Sequence, residues 1–346
     1  MKRSYVSAEK FILSREFFGM KLGLENISQF LASIGSPQTK YETIHVAGTN
    51  GKGSSAAMLA SILQAAGYKT GLFTSPHLVT LRERVRVNGR MISKPSLTAF
   101  VDRYRKELSR RKLSFFEVVT ALALYYFERT RVDIAVIETG LGGRLDATNV
   151  LFPRLTITTD IGFDHVEILG FTLGKIAGEK AGIIKRSVPH LIGLIAPEAE
   201  AVITERCRKL RAPLHRLEQK NFVARPETGK LDFKWNGYRL HNLSPSLIGP
   251  HQIRNSALVV KAASILNETG LRIPREAVRK GLSHTQWPGR FQVIEQRGQP
   301  TLVLDVCHNV SGVRALVDSF KIRFPGRRAC IITGFVKRKS HQLIFN

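Results

Sequence analysis

The run His45-Val-Ala-Gly-Thr-Asn-Gly-Lys-Gly-Ser54 concentrates the residue types that hold a phosphate. Glycines at 48, 51 and 53 let backbone N–H groups approach anionic oxygens, and a helix beginning here adds the partial positive charge of its N-terminus. Lys52 supplies a point charge for terminal phosphates. Ser54 carries a hydroxyl where such loops hold a phosphate or a divalent cation. The spacing is not the usual GxxxxGK[ST], because Gly53 separates Lys52 from Ser54. A plain Gly-rich turn is the alternative, and it leaves the lysine without a purpose.

Two further runs carry groups for a cation beside such phosphates. In Ile137-Glu-Thr-Gly-Leu-Gly-Gly-Arg-Leu-Asp-Ala-Thr-Asn149, Glu138 closes an apolar strand, where α/β sheets place their sites. A carboxylate there suits Mg²⁺, which prefers oxygen ligands; the competing reading is a strand-end acid that only caps the glycine loop. In Thr159-Asp-Ile-Gly-Phe-Asp-His165, His165 follows another apolar strand. A lone histidine is more often structural than a ligand, but its position at the same edge as Glu138 favours a metal role.

The elements that must position these residues alternate along most of the chain, the mark of an α/β fold with a largely parallel sheet. Strands are expected over 43–46, 69–73, 133–137, 155–158 and 191–195. Helices are expected over 54–66, stopped by Gly67, and over 96–112, 116–129, 173–184, 197–211, 251–269 and 274–284. Asn236-Gly237 between apolar residues signals a hairpin. After Trp287–Arg290 the pattern restarts with a strand over 301–305, a helix over 311–320 and a strand over 330–333. The expectation is a P-loop-type, mostly parallel sheet with helices on both faces over 1–295. A truncated, Rossmann-like second α/β domain over 296–346 follows.

The 346 residues include 43% hydrophobic and 23% charged, the balance of a soluble chain with a sizeable core. Residues 1–25 lack the apolar core of a secretory signal, and no apolar run is long enough for a membrane span. Cys207, Cys307 and Cys330 form no CxxC pair, which points to a reduced, cytoplasmic protein without structural zinc. The net charge of +26 raises the prospect of a nucleic-acid partner. Lys and Arg are spread along the whole chain without an RNA- or DNA-binding pattern, so a basic surface that draws in anionic substrates is preferred.

In order and spacing, several runs together resemble the folylpolyglutamate/dihydrofolate synthase family of Mur-type amide ligases. They are Val46–Ser54, Thr74-Ser-Pro-His-Leu78, Phe115-Phe-Glu117, Glu138–Asn149, Asp164-His165, Gly178-Glu-Lys-Ala-Gly182, Gly249-Pro-His-Gln252 with Asn255, Trp287-Pro-Gly-Arg290, and Asp305 with His308-Asn309. The resemblance covers roughly residues 15–310. It implies an ATP- and Mg²⁺-dependent ligase, a cytoplasmic monomer that joins L-glutamate to a folate carboxylate through an acyl-phosphate. Tetrahydrofolate polyglutamylation is favoured, with glutamate addition to dihydropteroate as alternative or second activity.

By the same resemblance Thr49, Asn50, Gly51, Lys52, Gly53 and Ser54 hold the ATP phosphates, and Asn255, Arg290 and Asp305 grip the nucleotide. Ser75, Glu138 and His165 match magnesium positions. Ser114, Phe115, Phe116, Leu145, Asp146 and Ala147 fall where the pteroate part binds, with Leu22-Gly-Leu24 as a loop nearby. Lys180 matches a lysine carbamylated in the family; Lys180, Lys52 and His308 form the catalytic set.

The chain departs from the family at two places. Val306 and Val310 stand where the family has Gly and Pro, and beyond Gly334 the family's acidic segment is replaced by Phe335–Asn346. A nucleotide-binding remnant without catalysis is therefore the competing function. A ligase for peptidoglycan precursors is disfavoured by the folate-branch motifs.

Overall fold

The computed structural model describes residues 4–19 and 23–334, Phe18 by its backbone alone; Leu22 and the 335–346 tail lie outside the described residues. Thirteen strands occur among them. They are β1 (Glu42–Ala47), β2 (Thr70–Phe73), β3 (Val85–Val87), β4 (Arg90–Met91), β5 (Ile134–Glu138), β6 (Leu155–Thr158), β7 (His190–Ile192), β8 (Leu214–Arg216), β9 (Phe222–Arg225), β10 (Lys230–Trp235), β11 (Tyr238–Leu243), β12 (Gln292–Ile294) and β13 (Leu302–Leu304).

The main sheet runs β4-β3-β2-β5-β1-β6-β7-β8, parallel from β2 to β8, with β3 and β4 added antiparallel at one edge. The three central strands decide the function. In register, Val46 faces Glu138 and Ala47 faces Thr158, so β5, β1 and β6 end side by side. The Gly48–Gly51 loop, the 139–149 run and the 159–165 run therefore leave the sheet at one edge. β2, β5, β6 and β7 are buried throughout, as parallel strands covered on both faces must be.

One face packs against the helices Lys52–Ala65 and Pro250–Glu268 and the β9–β11 sheet. The other packs against Tyr5–Leu13, Glu25–Ser33, Lys94–Arg110 and Phe115–Arg129. Small residues let Lys52–Ala65 approach its neighbours closely: a Cβ on Gly281 would lie 2.4 Å from the Ile62 Cα. Gly67 closes that helix at φ +95°, with its N–H donating to the Gln64 carbonyl, as the sequence suggests. Asn236 and Gly237 both take positive φ and join β10 to β11 in the expected hairpin.

The smaller second domain pairs β12 antiparallel with β13 and continues into the helix Val310–Arg323. Residues 330–333 form no strand, contrary to expectation. β13 is paired by β12, and Ile331 and Ile332 are 73% and 96% exposed with no neighbouring strand among the described residues. Val306 and Val310 both avoid positive φ, so the loop after β13 accommodates them without the strain a glycine position would bring. Among the described residues no helix is long and apolar enough to cross a membrane.

Candidate active site

The phosphate-type loop is shaped from below by β6. Gly48 takes φ +154°, and a Cβ there would sit 2.0 Å from the Thr159 Oγ1. Thr159 in turn donates to the Asn50 carbonyl at 2.6 Å, and the Thr49 N–H donates to the Asp160 carbonyl at 2.8 Å. Gly51, at φ +80°, caps the helix that starts at Lys52; a Cβ there would meet the Asn255 Oδ1 at 2.7 Å. Lys52 is thus the first helical residue and half-buried, rather than part of an exposed loop. Its ammonium donates to the carbonyls of Gly48 (3.0 Å) and Thr49 (3.2 Å).

A second lysine reaches the same carbonyl. Lys180, 3% exposed, donates to the Gly48 oxygen at 2.7 Å. Burial, then the charge of Lys52, lowers its pKa to about 7, against the pull of Asp160, Asp164 and Asp146. Two lysine amines thus converge on one carbonyl at the rim of the cavity. Its burial takes Lys180 off the protein surface.

Glu138 is buried at the end of β5, and its Oε2 accepts the Ser75 N–H at 3.0 Å. Burial raises its pKa, opposed by Lys52, the Ser75 N–H, Arg290 and Arg84. His165 caps a short helix at φ +50°, is 46% exposed in its side chain, and lies 3.9 Å from Asp164. His308, from the second domain, lies 3.6 Å from the same carboxylate.

Several residues expected to touch ligand are committed to the protein. Asp146 accepts the N–H groups of Gly140 (2.9 Å), Leu141 (2.8 Å) and Thr148 (3.0 Å) as well as the Thr148 hydroxyl. It shapes the glycine loop, and burial raises its pKa. The Ser114 hydroxyl donates to Glu117 at 2.8 Å in a capping box that starts Phe115–Arg129. Asp305 accepts the Phe291 and Cys307 N–H groups at 2.8 and 2.7 Å, tying the Trp287–Phe291 connection to the end of β13. The Asn255 amide donates to Gln252 at 3.1 Å, and Gln252 donates to the Ser54 hydroxyl at 3.2 Å.

All twenty residues nominated from the sequence line one cavity of about 710 Å³ between the sheet edge and the second domain. Phe115 and Phe116 form its aromatic side; a Cβ on Gly140 would lie 2.5 Å from the Phe116 ring, so the glycine makes room for that wall. Asn50 bridges to the second domain through Ser311 (3.0 Å) and Asn309 (3.0 Å).

Residues 46–263 match the family model of the Mur ligase middle domain. The chain is 40% identical to the dihydrofolate synthase/folylpolyglutamate synthase of Bacillus subtilis, over 99% of this chain and 82% of that one. It belongs to the folylpolyglutamate/dihydrofolate synthase family. Among solved structures of this family, the folylpolyglutamate synthase of Thermotoga maritima superposes with a TM-score of 0.87 at 36% identity, covering 98% of this chain and 79% of that one. An Escherichia coli structure in complex with DHPP and ADP superposes with a TM-score of 0.83 at 32% identity, covering 94% of this chain and 76% of that one.

Within this family fold, sequence reasoning missed Arg84, Asp160 and Gln252 as lining residues. Gln252 lies inside the Gly249–Gln252 run and Asp160 inside the Thr159–His165 run. Arg84 had no signal except its place a few residues after Thr74-Ser-Pro-His-Leu78.

Proposed function

We propose that the chain joins L-glutamate to the carboxylate of a folate-type acceptor at the expense of ATP, with tetrahydrofolate as the favoured acceptor and dihydropteroate as the second. A free carboxylate is too poor an electrophile for amide formation. Phosphoryl transfer from ATP turns it into an acyl-phosphate; the glutamate amine then attacks, and the tetrahedral intermediate expels phosphate. The single observation that carries this reading is the convergence of Lys52 and Lys180 on the Gly48 carbonyl, in a cavity that Phe115 and Phe116 also line. Positioning and charge neutralisation supply most of the catalysis in such a transfer.

In this reading Thr49–Ser54 cradle the phosphates, and Asn255, Arg290 and Asp305 hold the nucleotide, Asp305 with the lone pairs its backbone partners leave. Ser114–Phe116 and Leu145–Ala147 line the acceptor pocket, chiefly through Phe115, Phe116 and backbone, since Ser114 and Asp146 have internal partners. His308 approaches from the second domain, which we divide from the first near residues 291–296, β12 going with β13.

For Mg²⁺ the donor set is Ser75, Glu138 and His165. Among the described residues no group of three or more His, Cys, Asp or Glu stands close enough to hold a metal. A hydroxyl, a carboxylate and an imidazole would suit an ion that drew its remaining oxygens from phosphate and water. When bound it supplies charge neutralisation at the transferring phosphoryl group. Burial lowers the Lys180 pKa, which favours the neutral amine that carbamylation requires.

We also read the protein as a cytoplasmic monomer without a nucleic-acid partner, its basic charge drawing in three anionic substrates. The test is ADP release and product analysis with ATP, Mg²⁺ and glutamate, comparing tetrahydrofolate with dihydropteroate. Turnover dependent on acceptor and glutamate supports ligation; ATP binding without turnover with either acceptor leaves only a nucleotide-binding remnant.

A further inference from the structure

Arg84 ends the short helix Leu81–Arg84 and leads into β3. Its carbonyl accepts the Thr74 N–H at 3.1 Å, which places it beside Ser75 at the edge where the phosphate-type loop begins. The residue is only 7% exposed, yet it lines the 710 Å³ cavity. Its guanidinium carbon stands 5.1 Å from the centroid of the Phe115 ring. The Nε donates to the His77 Nδ1 at 2.8 Å, a bond that needs the neutral ring, and burial followed by the arginine's own charge lowers the His77 pKa.

No carboxylate pairs with Arg84 among the described residues, although Glu138, Glu16 and Glu83 feel its charge. Glu83 accepts the N–H groups of Leu78, Val79 and Thr80, and Glu138 accepts that of Ser75. Burying a guanidinium without an anion is costly, and its pKa falls to about 10 through that burial. With Nε held by His77 and the guanidinium carbon over the Phe115 ring, the direction of the Nη fork is restricted. A planar fork of this kind matches a carboxylate through two parallel hydrogen bonds.

We propose that Arg84 is the carboxylate-recognition residue of the acceptor pocket, its Nη fork binding the acceptor's carboxylate between the aromatic wall and the phosphate loop. The proposal rests on the ligase reading above and adds to it the group that selects an ionised acceptor. The site chooses acids over neutral analogues before phosphoryl transfer.

The test is calorimetric binding of pteroate, which carries a single carboxylate, and of its primary carboxamide. Parent, Arg84→Gln and Arg84→Lys are compared, with ATP affinity as the check on folding. Charge-assisted bonds of this kind are worth on the order of 10- to 100-fold in affinity. The parent is expected to prefer pteroate by that factor. Arg84→Gln should bring the ratio to about threefold or less with the carboxamide affinity nearly unchanged, and Arg84→Lys should fall between. A ratio in Arg84→Gln equal to the parent's overturns the proposal. So does an unchanged ratio accompanied by a raised KM for glutamate, which would move the fork to the incoming amino acid. If Arg84→Gln loses ATP binding and is misfolded, the Arg84→Lys ratio decides on the same terms. A parent that neither binds pteroate nor ligates glutamate contradicts the ligase reading itself, which is a different failure from a ligating parent whose Arg84→Gln variant still discriminates.

Discussion

Gly48→Ala tests the geometry of the phosphate-type loop at its tightest point. The new methyl would meet the Thr159 Oγ1 at 2.0 Å and the Asp160 nitrogen at 3.3 Å, from a backbone at φ +154°. Overpacking costs roughly 1–3 kcal/mol and the backbone strain about 1–2 kcal/mol, so a loss of roughly 2–5 kcal/mol is expected. Gly48 also carries the carbonyl that receives both Lys52 and Lys180, so its displacement moves both lysine amines together. Nucleotide affinity should fall by about tenfold or more, each 1.4 kcal/mol being tenfold. Thr159→Ala alone removes the 2.6 Å bond to the Asn50 carbonyl and should cost only about 1 kcal/mol. In the double variant the clash with the hydroxyl is gone while the strain remains, which predicts a favourable coupling of about 1–2 kcal/mol. Urea denaturation of the four proteins, with ATP titrations, reads both effects. A Gly48→Ala protein with the parent's midpoint and affinity would refute the reasoning, and costs that simply add would show that Thr159 is not what the methyl meets.

Lys52→Ala should lower turnover by about 100-fold or more while denaturation shifts by about 1 kcal/mol or less, because its two backbone bonds are local; normal turnover would remove Lys52 from the phosphate site. His45 and His190 are buried rings whose pKa is lowered to about 3, chiefly by burial. The folded state resists protons that the unfolded chain accepts near pH 6.5, so stability holds above that value and falls by about 1.4 kcal/mol per unit per ring as pH drops towards 3. Denaturation at pH about 7.5 and about 5 should show it, and His190→Gln, keeping polar partners for Thr156 and Thr158, should halve the slope; a flat profile would contradict the buried neutral rings. In Val310–Arg323 only Ser319 is buried, and Leu302 and Leu304 are 52% and 42% exposed. Amide exchange there should be orders of magnitude faster than in β1, and equal protection would show that the second domain is as stable as the first.

The strands and loops that form the site were legible because parallel strands buried on both faces read as apolar runs, and because Gly48, Gly51 and Lys52 have no other common purpose. β3 and β4 escaped notice: they are three and two residues long and rich in arginine, below any periodic signal. The helix Tyr5–Leu13 was equally hidden, with only Ala8, Phe11 and Ile12 buried among polar residues. Residues 330–333 show the opposite failure. Their apolar, β-branched run reads as a strand, but strand formation needs a neighbour, and pairing is not written in local composition. At the site, the family resemblance pointed to residues on the cavity without revealing what their side chains bond. Asp146, Ser114 and Asp305 all line the cavity, yet their oxygens serve backbone N–H groups that no spacing rule reveals. Arg84 was missed because its importance comes from burial beside Phe115 and His77, which is a tertiary fact.

Acyl activation makes one demand that neither ATP binding nor ATP hydrolysis shares: an oxygen of the acceptor carboxylate must leave with the phosphate. Incubation of the protein with ATP, Mg²⁺, glutamate and an acceptor whose carboxylate carries heavy oxygen follows that atom directly. Mass spectrometry should find an acceptor one glutamyl residue heavier and one labelled oxygen in inorganic phosphate for every amide bond formed. Amide without label in phosphate, or ADP without amide, would contradict a glutamate ligase that works through an acyl-phosphate.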